Sequence, residues 1–134
     1  MCRSGGGYNQ VVDAVRLRFE RGAAAGTARR AVREALDRWK LTHLVDDALL
    51  VTTELMQNAV RHAGDGGVLV VSRSAGGLRI EVADGSASQP TVRAPDPTRI
   101  GGRGLSIVAA VARAWGTLAR TGQSGKVVWA ELAA

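Results

Sequence analysis

Glu54-Leu55-Met56-Gln57-Asn58-Ala59-Val60-Arg61-His62-Ala63 is the stretch from which the rest of the chain can be ordered. At about 3.6 residues per helical turn, Glu54 and Asn58 stand one turn apart, Arg61 follows Asn58 by three and His62 by four, so the four share a face. Val45, Ala48, Leu49, Val51, Leu55, Met56, Ala59, Val60 and Ala63 fill the opposite arc, the apolar stripe of a helix that packs on a sheet. Thr42 is placed to cap this helix, and Asp46 and Asp47 suit the positive end of its dipole. Gly64 is placed to stop it, with Arg61 and His62 in the last turn.

Upstream, residues 24–39 repeat apolar side chains at helical spacing and predict a first amphipathic helix. Before it, residues 15–19 alternate apolar and charged side chains, the pattern of an edge strand with one buried face. Downstream, residues 68–73 and 78–84 predict two strands joined through Ser74-Ala75-Gly76-Gly77 as a hairpin. Residues 85–102 hold all three prolines and no sustained periodicity, which predicts a long loop acting as a lid. A third helix is expected over residues 105–112, ended by Gly116, then strands at 117–120 and 127–132 around a turn at 122–125. Strands grouped in hairpins, with helices on one face, define an α+β two-layer sandwich with a mixed, mostly antiparallel sheet.

A length of 134 residues fits one domain, over residues 11–134, after a flexible tail at 1–10 that contains Ser4-Gly5-Gly6-Gly7. The apolar fraction of 46% describes an ordinary globular chain, without a run long enough for a membrane span. The first ten residues lack the pattern of a secretory signal, so the expected location is cytoplasmic. Cys2 is the only cysteine, which leaves no internal disulfide and no zinc cluster. The net charge of +6 comes from arginines scattered through every element, with no basic stripe interleaved with aromatics, and this argues against direct nucleic-acid binding.

Three features recur in a telling order: the helix of Glu54 and Asn58, then Asp84-Gly85 at a strand end, then Gly101-Gly102-Arg103-Gly104-Leu105 at the start of a helix. Each alone is ordinary, as a solvated helix face, a turn and a flexible joint. Together they supply a carboxylate for an adenine amino group, a carboxamide oxygen for magnesium, backbone amides for phosphates and a base.

Glu54 to Ala63 resembles the N-box of the GHKL (Bergerat-fold) superfamily of histidine kinase-like ATPases and kinases, in the form found in anti-sigma factor serine/threonine kinases. Val82-Ala83-Asp84-Gly85-Ser86 is similar to the first glycine box, Gly102-Arg103-Gly104-Leu105-Ser106-Ile107-Val108 to the second, and residues 125–132 to the closing strand. The resemblance implies a Bergerat-type sandwich with an ATP lid. It also implies that Asn58 coordinates magnesium, that Asp84 with Gly85 recognises adenine, and that Gly102, Arg103 and Gly104, leading into Leu105, hold the lid against the phosphates. Glu54 becomes the general base; Arg61 and His62 match the motif without a defined role, His62 reading as structural. The sequence departs from the pattern at Ser86-Ala87-Ser88, where many members carry a further glycine, and at Val127, where a threonine often supports the aspartate.

The function implied is an ATP- and magnesium-dependent protein serine/threonine kinase that phosphorylates a STAS-type anti-sigma antagonist, binds a sigma factor and works as a homodimer. The alternative is a nucleotide-responsive binding module without phosphoryl transfer. A sensor histidine kinase is disfavoured because the chain has no room for phosphoacceptor and dimerisation helices.

Overall fold

The computed structural model describes residues 14–20, 25–63, 66–84, 100–119 and 125–134, the side chains at 62–63 and 100–104 excepted. Five strands, β1 (Ala14–Phe19), β2 (Gly67–Ser74), β3 (Gly77–Asp84), β4 (Ala114–Ala119) and β5 (Lys126–Ala133), form one sheet in the order β1-β2-β3-β5-β4. All four pairings are antiparallel, so the expected mixed sheet is purely antiparallel among the described residues. β1 is an edge strand, as its alternation predicts. The β2–β3 hairpin closes through Ala75-Gly76, with Ser74 opposite Gly77, and Gly76 takes a φ of 81°, a conformation a side chain would disfavour.

Three helices, α1 (Ala25–Arg38), α2 (Val45–Ala63) and α3 (Ile100–Val111), cover one face. The central helix α2 packs on β2, β3 and β5, between α1 on one side and α3 on the other. Its buried stripe of Ala48, Val51, Leu55 and Ala59 meets Leu69 and Val71 of β2 and the inner rows of β3 and β5. The result is the α+β two-layer sandwich that the order of elements predicts. Among the described residues no helix is long and apolar enough to cross a membrane.

Several local expectations change. Thr42 does not cap α2: it opens a short 3-10 turn, Thr42–Leu44, and the α-helix begins at Val45. That turn follows a Schellman ending of α1, in which the Leu41 amide donates to the Leu36 carbonyl at 2.8 Å and the Lys40 amide to Asp37 at 3.2 Å. Lys40, with φ 60°, takes the left-handed position usually given to glycine. Gly116 does not end the third helix but lies within β4, opposite Trp129. A Cβ there would sit 3.1 Å from the Trp129 indole, so the small residue makes room for the ring. The Gly101-Gly102-Arg103-Gly104 run lies inside the first turns of α3, not ahead of it. The proposed tail, Cys2, Gly64, the lid at 85–99 and the turn at 122–124 lie outside the described residues.

The outer face of the sheet carries a separate ionic group. Arg79 donates from Nε to Glu81 at 2.6 Å and from Nη1 to Glu131 at 2.9 Å, and Arg113 reaches Glu131 at 3.3 Å. The Arg79 guanidinium also stacks over Trp129, 4.4 Å from the ring centroid. Burial works against its charge, but the bonds and charges of Glu81 and Glu131 outweigh that and hold its pKa above the usual range.

Candidate nucleotide-binding site

The inner face of the β3–β5 ladder is built of cross-strand pairs: Leu78 with Leu132, Ile80 with Ala130, and Val82 with Val128. All six are buried under the helices. The period of two that makes this row apolar then delivers, one step further, Asp84 opposite Lys126. The ladder therefore ends on an ion pair, with Lys126 Nζ 3.0 Å from Asp84 Oδ2 and side-chain exposures of 4% and 1%.

This corrects the reading of Val127. Val127 pairs with Ala83 and lies on the other face, so it is not the neighbour of the Asp84 carboxylate; Lys126 is. The signal was available in the alternation. Glu131, on the outer face with Arg79, fixes Trp129 and Val127 as outward, and the same count sends Lys126 inward with Val128, Ala130 and Leu132.

The polar stripe of α2 is not uniformly solvated either. Glu54 is half-buried and Arg61 exposed, but Asn58 retains only 3% of its surface. Its Oδ1 has no hydrogen-bond partner among the described residues. A buried carboxamide oxygen with no donor is costly unless something else fills the role. α2 ends at Ala63 and β2 begins at Gly67, whose cross-strand partner is Asp84, so chain continuity brings the last turns of α2 to the Asp84 end of the sheet.

At the opposite end of the sheet, α3 stops at Val111 and β4 starts at Ala114, opposite Glu131. α3 thus runs away from the Asp84 end, with its glycine-containing N-terminal turns directed toward it. Leu105 and Val108 anchor this helix against the core, half-buried and fully buried respectively. The first amides of a helix have no partners within it and sit at the positive end of its dipole, which suits phosphate oxygens. Glu54, Asn58, Asp84 and the start of α3 are accordingly grouped by the fold. Gly85, and the side chains of Arg103 and His62, lie outside the described residues.

A buried carboxylate, an unpartnered carboxamide oxygen and a glycine-rich helix start are groups that a nucleotide could use. The model of the histidine kinase-like ATPase domain matches residues 20–132. The chain belongs to that family. A search of the curated proteins found no match. Membership in a histidine kinase-like ATPase family carries ATP binding, and the residues can be tested against that ligand one by one. The Asn58 oxygen fits a hard cation held mainly by phosphate oxygens and water, as magnesium commonly is beside a nucleotide. No group of three or more His, Cys, Asp or Glu among the described residues could hold a metal by itself. Asp84 fits adenine by chemistry, and the Lys126 ammonium already engages it.

Proposed function

We propose that this histidine kinase-like ATPase is an anti-sigma factor-type protein serine/threonine kinase, with a STAS-type antagonist as phosphoacceptor, a sigma factor as binding partner and a homodimer as its working form. The observation that carries the reading is Glu54, a half-buried carboxylate one helical turn before Asn58 on α2. A base in that place stands beside the oxygen best suited to the nucleotide's cation, which is where a phosphoryl group would be attacked.

In the proposed reaction Glu54 accepts the proton of a seryl or threonyl hydroxyl while that oxygen forms a bond to the terminal phosphorus of ATP. The bond to the ADP oxygen breaks as the new one forms. Asn58 would hold magnesium, which neutralises developing phosphate charge. The amides at the start of α3 orient the phosphates, and Asp84 receives the adenine amino group. Glu54→Gln removes the base while keeping shape and is expected to lower phosphate transfer from labelled ATP to a STAS-domain protein by roughly 100-fold or more, with sigma binding intact.

The alternative is a nucleotide-responsive binding module without phosphoryl transfer; the Asp84–Lys126 pair bears on both readings alike, because occupation of that carboxylate limits base recognition in either. Under that reading Glu54→Gln leaves nucleotide-dependent sigma binding unchanged and no phosphoprotein forms with the wild type. Asn58→Ala separates nucleotide binding from both: calorimetry is expected to show magnesium-dependent ATP binding lost, with the melting temperature held within a few degrees. Retained magnesium-dependent binding in that variant would remove Asn58 from the site.

A further inference from the structure

Among the described residues, Asp84 and Lys126 are two of the few buried polar side chains, and they meet each other. A carboxylate intended for a neutral amine is already satisfied here by a full positive charge. The ammonium has three donors and no acceptor, and its bond to a carboxylate is charge-assisted. An adenine amino group offers a neutral donor. Exchanging one for the other in a dry site replaces a strong bond by a weaker one and strands the displaced charge unless it reaches water.

We propose that Lys126 is a resident competitor for the base: its ammonium occupies Asp84, a nucleotide must displace it, and this residue sets the chain's affinity for adenine nucleotides low. The inference rests on Asp84 being the base-recognising carboxylate. The device is mechanically simple. Lys126 is the first residue of β5, and its flexible stem lets the ammonium swing aside while the backbone keeps its register with Asp84. A neutral side chain at position 126 removes the ammonium from Asp84, and with it the competitor that the amino group must displace. Affinity for the adenine ring is thereby tied to one residue on a neighbouring strand.

The chain contains only two lysines, Lys40 and Lys126, which makes the displacement directly observable. Lysine labelled with carbon-13 at the ε position gives two side-chain signals in the wild-type protein. Saturation with magnesium-ATP is expected to move the Lys126 signal and leave that of Lys40, in the turn after α1, unchanged; a stationary Lys126 signal at saturation overturns the proposal. Calorimetry of the full chain with magnesium-ATP gives the second reading. Lys126→Thr is expected to bind at least tenfold more tightly than the wild type, and Lys126→Arg no more tightly than the wild type. Equal or weaker binding by Lys126→Thr would mean that the ammonium helps to hold the base, and the proposal fails while ATP binding stands. Absence of binding by both the wild type and Lys126→Thr would defeat the nucleotide reading itself, and the competitor with it. Should Lys126→Thr not fold, the labelled wild type decides alone.

Discussion

β3 and β5, joined on the outer face by Arg113 just ahead of β4, carry two sets of opposite charges on their two faces, and the sets differ in everything but sign. On the outer face Arg79, Glu81, Glu131 and Arg113 share bonds around the Trp129 ring, with side-chain exposures between 26% and 48%. On the inner face Asp84 and Lys126 hold each other at 3.0 Å with exposures of 1% and 4%. Water screens the outer network and can take over any bond that is broken there. It reaches the inner pair hardly at all, so solvent cannot take over that bond if it is broken. An ion pair is thus a different object on the two sides of one sheet: surface reinforcement outside, and inside a charge that must be answered by a cation or by a ligand.

The comparison breaks most visibly at Lys126. Lys126→Met removes the ammonium from the buried Asp84 carboxylate and is expected to cost about 3 kcal/mol or more, a fall of roughly 10 °C in melting temperature for a chain of this size. Replacing both partners by apolar residues of similar volume is expected to recover most of that loss, and a double-mutant cycle by denaturant unfolding measures the coupling. An equally large loss in the double variant would mean that packing, not charge, explains the single one. A smaller effect is expected outside. Glu131→Gln weakens contacts to both arginines, and its cost of about 0.5–1 kcal/mol should shrink in 1 M salt, whereas the Lys126→Met deficit should persist. The smallest change is expected at Gly116→Ala. The new methyl displaces the half-exposed Trp129 ring, altering near-ultraviolet circular dichroism while stability stays within about 0.5 kcal/mol.

The regular parts of this fold are legible from periodicity because one face of each element is buried. The edge strand β1, the hairpin at Ala75-Gly76 and the central helix all follow from apolar spacing and turn residues. Glu54, Asn58 and Asp84 stand out because polar groups interrupt or end those patterns. Less legible is what depends on a neighbour. Thr42 has the chemistry of a cap, but the Schellman ending at Lys40 and Leu41 places it in a 3-10 turn instead. Gly116 has the look of a helix stop, but its role is to lie beneath Trp129, a residue of the next strand. Lys126 is the more informative case. Its inward direction follows from counting back from Glu131, but a charged residue at the mouth of a strand is ordinarily taken as solvated, and only the pairing with Asp84 gives it meaning. The same holds for Asn58, whose place on a polar stripe does not disclose that it is almost wholly covered.

The antiparallel register also has a bearing on the order in which the chain assembles. The β2–β3 hairpin joins neighbours through two residues, whereas the β3–β5 pairing links positions from Asp84 with Lys126 to Gly77 with Ala133, across α3 and β4. Loop closure makes such distant contacts slower to form than local ones. Asp84 therefore enters the sheet with the early hairpin, and its counter-ion arrives only when β5 docks. The step that completes the β3–β5 ladder is thus also the one that brings the ammonium to the carboxylate, so a chain halted before it lacks the buried ion pair of the finished protein.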